Sequence, residues 1–160
     1  LIRGMALIQR LLDDHVFFRH YLNQLNDAGR SLPPEAKLPA SLVSVEEFTF
    51  RLRRHARIEN EILFPALQRT GNEGDRIKHV ATFLAHGTDE HASVAKRHAE
   101  LNAAAGEQTK DNNWRKFLGK FTDRILTHMA KEEDEIFPLA QALLGDDLLA
   151  ELNQKANNVQ

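Results

Sequence analysis

The chain has 160 residues, which fits a single domain over residues 1–160 with a sizeable buried core. Its formal net charge is −2, with 21 Lys and Arg against 23 Asp and Glu, so no basic surface for nucleic acid is indicated. It contains no cysteine, which excludes disulfides, iron–sulfur clusters, thiolate zinc sites and thiol nucleophiles, and any metal ion must be bound by nitrogen and oxygen ligands.

Hydropathy bears on location and partners. No apolar run approaches the roughly 20 residues that span a bilayer. No signal-peptide pattern opens the printed sequence. We therefore expect a cytoplasmic protein whose partners include neither a membrane nor nucleic acid.

The first predicted helix runs from Ile2 to about Ala28, with Gly29 as its stop and a loop over Ser31–Pro39. A lone histidine in an apolar stripe is more often a hydrogen-bonded core residue than a ligand, so His15 is a candidate ligand only because other helices offer partners. The inner stripe recurs at spacings of three and four and consists of Ile8, Leu11, Leu12, His15, Phe18, Leu22 and Leu25.

The second predicted helix starts near Ser44 with a capping-box pattern, and its inner face includes His55 and Glu59. Pro65 has no backbone N–H to donate, so we expect the helix to kink or loosen about one turn before Gly71.

The decisive feature is a repeated segment, HARIENEILFP at residues 55–65 and HMAKEEDEIFP at residues 128–138. In each copy a glutamate follows the histidine by four residues, about one helical turn, so the two side chains share a face. A single such pair is commonly a solvated contact worth a few tenths of a kcal/mol. Two copies on facing helices would instead bring two imidazoles and two carboxylates together, which favours a metal site, and a two-metal site in particular.

The third predicted helix follows a turn at Gly71–Gly74, is capped by Asp75 and runs to about Ala105. His91 lies in its inner stripe, and His98 is expected to be second-sphere or partly exposed. That stripe consists of Leu84, His91, Val94, Ala95 and Leu101. The remaining histidines have no partner at ligand spacing and are expected at the surface, namely His20, His79 and His86.

The fourth predicted helix is capped by Asp111 and carries His128 and Glu132 on its inner face. Gly145 is expected to end it, and Asp146 or Asp147 to open a short terminal helix. Four long amphipathic helices joined by polar turns predict an all-α, up-down-up-down four-helix bundle with a short C-terminal helix.

Taken in order, these histidines and glutamates resemble the hemerythrin-like, or HHE cation-binding, domain family. The resemblance covers about residues 5–145 and implies a non-haem centre of two iron ions, bridged by two glutamates and completed by four terminal histidines. The ligands it implies are His15, His55, Glu59, His91, His128 and Glu132.

Two departures separate the chain from hemerythrins that carry oxygen. Those proteins place a fifth histidine one turn before the third-helix ligand, where this chain has Gly87, and they use His-x4-Asp on the fourth helix. The chain offers Glu132 at four residues and Glu133 at five, which leaves both open as the bridge. Its four-His, two-Glu pattern is closer to iron-centre repair proteins and iron-sensing domains, so we do not expect a reversible oxygen carrier. One explanation for the glycine is that the missing side chain leaves a metal position open, and close packing or a helix break at Gly87 is the competing one.

The ligand types fit iron, manganese or zinc. Two glutamates cancel only two of the four charges of two divalent ions, so an oxide or hydroxide bridge is the expected remaining counter-charge. Hydrophobic neighbours that could keep the pocket dry are Phe64, Ile136 and Phe137. Acidic neighbours that could orient the histidine rings, although surface charge is favoured for each, are Asp14, Glu61, Glu90 and Asp134.

The expected function is binding of, or reaction with, a small ligand, namely dioxygen, peroxide or nitric oxide, at a carboxylate-bridged di-iron centre. Whether the chain is a peroxide- or nitric-oxide-processing oxidoreductase stays open. The alternative is an iron- or oxygen-responsive sensing or interaction module, with a mainly structural metal site and a protein partner. A ferritin-like ferroxidase is less favoured, because its Glu-x-x-His spacing is missing at the key positions.

Overall fold

The computed structural model describes residues 5–70, 81–106 and 113–160, and these ranges contain helices and no strand. Residues 81–85 are also helical, and a turn at His86 separates them from the next helix. The helices are α1 (Ala6–Ser31), α2 (Ala40–Val43), α3 (Glu46–Ile58), α4 (Phe64–Thr70), α5 (Gly87–Ala104), α6 (Asn113–Lys131) and α7 (Phe137–Ala156). None of the described helices is long and apolar enough to cross a membrane.

Two wider π turns, Glu59–Leu63 and Glu132–Ile136, join α3 to α4 and α6 to α7. In each, the N–H after the segment bonds the carbonyl five residues earlier, from Phe64 to Glu59 and from Phe137 to Glu132. The proline that follows Phe64 or Phe137 explains the wider turn. It lacks an N–H, and its ring would clash with the carbonyl four residues back. The wider turn accommodates the proline in the first turn of a new α-helix. The expected loosening near Pro65 therefore takes the form of a π turn, and it occurs in both copies of the repeat.

The apolar core consists of two clusters with a polar layer between them. Along α1, Leu11 belongs to one cluster, His15 to the polar layer and Phe18 to the other cluster. The chain has four long helical segments, namely α1, α3 with α4, residues 81–104, and α6 with α7. The third has the same order as α1, from Leu84 through His91 to Val94, and the second and fourth have the reverse order. This alternation is that of an up-down-up-down bundle, and the predicted all-α bundle is confirmed.

Two predicted helix ends differ from the structure. α1 continues through Gly29 to Ser31, because Gly29 packs against α6, where an added Cβ would lie 3.2 Å from Leu118. The capping box at Ser44 does not form, since Val45 is the N-cap and the Ser44 hydroxyl donates to Asn102 Oδ1 at 2.7 Å.

The third long helix is interrupted rather than continuous, because α5 begins afresh at Gly87 after the turn. The predicted turn at Gly71–Gly74, the caps Asp75 and Asp111, and His79 lie outside the described residues, as does the predicted start at Ile2. Within α7, Gly145 adopts a positive φ of 74°, so residues 146–156 form the expected short terminal helix.

Candidate metal centre

Six buried side chains from the four long helices meet in the polar layer. α1 provides His15, and α3 provides His55 from its last turn. α5 provides His91, and α6 provides His128. The two glutamates open the two π turns. The exposed fraction is 0% for His15, Glu59 and Glu132, 2% for His55, 6% for His128 and 8% for His91.

These side chains form two groups that share both glutamates. One group is His15, His55, Glu59 and Glu132, and the other is Glu59, His91, His128 and Glu132. Within each group the candidate ligand atoms all lie within 4.8 Å of one another. These are the six residues expected from the sequence, and the structure brings all six together.

Glu59 spans the two groups with its two oxygens. Its Oε1 lies 3.0 Å from His55 Nε2 and its Oε2 lies 2.8 Å from His91 Nε2. One carboxylate oxygen thus faces each group, which is the arrangement a bridging ligand requires.

Glu132 has a different geometry. A single oxygen, Oε1, lies 3.2 Å from His15 Nε2, 3.3 Å from His128 Nε2 and 3.7 Å from His55 Nε2. Its Oε2 is buried and has no hydrogen-bond partner among the described residues. Both groups therefore have access to Glu132.

The unpaired polar atoms of this layer test whether it fits a metal ion. The buried atoms His55 Nε2, Glu59 Oε1 and both ring nitrogens of His128 lack hydrogen-bond partners within the described part of the chain. Although His55 Nε2 and Glu59 Oε1 are close, their approach does not have hydrogen-bond geometry. Leaving such atoms buried and unpaired is costly. His15 Nε2 and His91 Nε2 do bond Glu132 Oε1 and Glu59 Oε2. The other nitrogen and oxygen donors converge without bonding each other, and this arrangement fits metal ions.

Three polar residues outside the six lie close to ring nitrogens of the histidines. Asp14 Oδ2 accepts from His55 Nδ1 at 3.1 Å, and Asn60 Oδ1 accepts from His91 Nδ1 at 2.9 Å. Glu133 Oε1 lies 3.6 Å from His15 Nδ1. The hydrogen bonds to Asp14 and Asn60 fix the tautomers of His55 and His91 and direct their Nε2 atoms toward the shared space. His15 Nδ1 has no hydrogen-bond partner in the described part of the chain.

Two of these neighbours differ from what the sequence indicated. Asp14 was favoured as surface charge, and this was wrong, because it is 2% exposed. Its position in the series Leu7, Leu11, Asp14, Phe18 is a usable signal for burial. Asn60 was missed, and no spacing rule identifies it, because it lies in a π turn that changes the helical phase.

Glu133 is held away from the shared space by Arg19, which donates to it with two guanidinium nitrogens, one of them at 2.9 Å. This contact lowers the pKa of Glu133 and keeps its carboxylate occupied. Between the two candidates for the fourth-helix carboxylate, the geometry therefore favours Glu132.

Burial and charge act on the ring nitrogens in opposite directions. Burial by itself lowers the pKa of His55, but the carboxylates of Glu59, Asp14 and Glu132 outweigh it, and the pKa is raised well above its ordinary value. Burial dominates at His128 and lowers its pKa to about 4. For Glu59, burial is outweighed by His55 and by hydrogen bonding, and the pKa is well below its ordinary value. An ionised glutamate and a neutral histidine are the forms that bind metals.

The other titratable residues stay outside the centre. His98 is partly buried, and its Nε2 lies 2.9 Å from the hydroxyl of Tyr21. His20 and His86 are exposed, as expected. The remaining acidic neighbours contact no ligand histidine in the described part, since Glu61 pairs with Arg57, Glu90 pairs with Arg124 and Asp134 is exposed.

Aromatic rings close the centre on two sides. Phe137 lies 5.5 Å from the ring of His15, and Phe64 stacks on His91 at 5.9 Å with an interplanar angle of 7°. A Cβ added at Gly87 would lie 2.6 Å from Phe64 Cε2. Close packing against Phe64, the competing explanation offered by the sequence, therefore accounts for this glycine.

Access to the centre lies on another side. A cavity of about 950 Å³ opens between α3 and α5, and all four histidines of the centre line it. A small molecule entering from this side would reach the unpaired ring nitrogens directly.

One family comparison matches. The family described as Hemerythrin HHE cation binding domain matches residues 6–140, which is most of the chain. Comparisons with curated proteins and with solved structures give no match.

Proposed function

Because the chain belongs to the Hemerythrin HHE cation-binding domain family, we propose that it holds two iron ions that bind or react with dioxygen, peroxide or nitric oxide. The proposed ligands are His15, His55, Glu59, His91, His128 and Glu132. The observation that carries the proposal is that two groups of donors share Glu59 and Glu132. Sharing carboxylates is how two cations are held a few ångströms apart.

The donor set supports both the number and the kind of ion. Each group offers two imidazoles and two carboxylates, a mixture that suits iron, manganese and zinc. Four protein ligands would leave room on each ion for a small ligand. The ions would supply Lewis-acid and redox chemistry, and the protein's part is to bind, orient and exclude water.

The surrounding residues perform that part. Asp14 and Asn60 hold His55 and His91 with their Nε2 atoms directed inward. Phe64 and Phe137 cover two sides with aromatic surface, which limits water and lowers the local dielectric. The cavity between α3 and α5 leaves one side open for a ligand.

Metal reconstitution tests the proposal. Metal-free protein is loaded with ferrous iron without oxygen, iron per chain is measured, and optical spectra are followed after addition of air, peroxide or nitric oxide. We expect two ions per chain and a spectrum that changes with at least one of these ligands. Glu59→Gln should lose iron, while Glu61→Gln serves as the matched control, because Glu61 is exposed and pairs with Arg57.

The outcomes separate the candidate functions. At most one iron per chain would contradict the two-ion site. Metal-dependent folding without any spectral response would favour the structural interaction module instead. An air-induced spectrum that reverts under vacuum would contradict our expectation that the protein is not a reversible oxygen carrier.

A further inference from the structure

The cavity between α3 and α5 is far larger than a diatomic ligand needs. One water occupies about 30 Å³ of liquid, whereas this cavity measures about 950 Å³. Pockets of about 300–1,000 Å³ are those that enclose organic molecules. The volume therefore points to a ligand with a carbon skeleton.

The shape of the cavity is that of a groove leading away from the metal centre. Ala92, Ala95 and Ala99 form one wall, and all three are exposed, although Ala95 was expected on the inner stripe. Their short side chains leave α3 and α5 apart. From His91 to Asn102 the helix rises about 16 Å. Beyond this point the hydrogen bond from Ser44 to Asn102 joins the two sides of the groove.

The opposite wall, on α3, combines apolar surface with a positive charge. Phe50 is 47% exposed in the groove, and Arg53 lies nearly one turn closer to the centre. Arg53 makes no ion pair within the described part of the chain, whereas neighbouring Arg57 is occupied by Glu61 and by the carbonyl of Gln160. A cation without a partner beside apolar surface is complementary to an anion with an apolar chain.

The two ends of the groove give that anion a direction. The inner end has the unpaired, buried Nε2 atoms of His55 and His128 and, in the iron-loaded protein, two ions whose charge exceeds that of Glu59 and Glu132, while Glu46 lines the far end. A negative head group is repelled by Glu46 and attracted by Arg53. The head would lie toward the metal centre, and the chain would extend along Phe50 and Ala99.

We propose that this groove binds an organic carboxylate with an apolar chain, whose head group lies between Arg53 and the metal centre. The inference deepens the proposed function and rests on it, since it names a ligand class for the same centre. It involves binding only, and no covalent step.

Octanoate is a suitable ligand for the test, with 1-octanol as its uncharged analogue. Binding of each to the iron-loaded protein is measured by isothermal titration calorimetry. Ala95→Phe, which fills the groove, should abolish binding of both. Arg53→Gln should weaken octanoate about tenfold and leave octanol unchanged.

Matched controls lie on α5 outside the groove. Ala103→Phe and Lys96→Gln change exposed positions of α5 that do not line it, and binding should be unaffected. Unchanged octanoate binding in Ala95→Phe, or equal losses of octanoate and octanol in Arg53→Gln, would overturn the proposal.

Iron content measured on the same samples separates this proposal from the previous one. If a chain with two irons does not bind octanoate, the groove proposal fails and the metal site stands. Octanoate could instead bind a chain that takes up no iron, with the variants affecting binding as expected. The groove would then be a carboxylate site, but the placement of the head group beside a metal centre would be overturned together with the two-iron proposal.

Discussion

Replacing Asp14 should weaken the binding of one of the two proposed metal ions. The carboxylate is buried, and its two oxygens contact different partners. Oδ2 lies 3.1 Å from His55 Nδ1, and Oδ1 lies 3.6 Å from Arg54 Nη2. The first contact holds the proton on Nδ1 of His55 and leaves Nε2 free to bind a metal ion.

The magnitude follows from what each replacement leaves behind. Loss of an outer partner of a metal-binding histidine typically costs about 10- to 100-fold in affinity, or about 1.4 to 3 kcal/mol. Asp14→Asn keeps an acceptor for His55 but loses the charge, so we expect the lower end of that range. Asp14→Ala also leaves the buried Nδ1 of His55 without an acceptor, so we expect the upper end.

Competition with a coloured iron chelator, followed without oxygen, measures the two binding steps separately. One step should weaken strongly and the other little, because His91 and His128 do not contact Asp14. Asp13→Asn and Asp13→Ala are matched controls, since Asp13 is exposed and, among the described residues, its side chain hydrogen-bonds only Gln9. Equal affinities for the Asp13 and Asp14 variants would refute the reasoning.

Four further predictions concern the bridge, the metal, pH and packing. Glu59→Ala should lose more iron than His91→Ala, because Glu59 faces both groups; equal losses would contradict bridging. Removing metal should lower the thermal unfolding midpoint, and the difference should shrink in acid as ligands protonate; identical midpoints would contradict this. Burial lowers the pKa of His98, so the unfolded chain binds more protons below about pH 6.5 and stability falls there. His98→Gln should reduce that loss, as measured by denaturant unfolding at about pH 7.5 and 5.5. Gly87→Ala should destabilise by about 1–3 kcal/mol because its Cβ would overlap Phe64, and an unchanged unfolding midpoint would exclude the overlap.

The fold class and the six central residues could be predicted because they depend on helical periodicity. The His-x3-Glu spacing places both side chains on one face wherever an α-helix forms, and in both copies the histidine and glutamate lie at or before the start of the π turn. The lone residues His15 and His91 follow from their place in apolar stripes. Their roles as metal ligands remain a proposal.

Features beyond the glutamates could not be predicted in the same way. Each π turn inserts an additional residue into the helical phase, so Asn60 and Glu133 do not lie where an ideal helix would put them. Gly87 depends on the ring of Phe64, a contact between distant segments that no local pattern encodes. The cavity depends likewise on the separation of α3 and α5.

The π turns also explain why the repeat includes more than its histidine and glutamate. The residue five positions after the histidine is Asn60 in one copy and Glu133 in the other. Asn60 bonds His91, and Glu133 lies beside His15, so each copy supports the lone histidine of another helix. The support is unequal, because Asn60 accepts at 2.9 Å while Glu133 is turned toward Arg19 and remains 3.6 Å from the ring. Asp14 strengthens the weaker half by holding His55. Each repeat thus supplies an outer contact as well as two ligands, and the two halves of the centre differ mainly in these outer contacts.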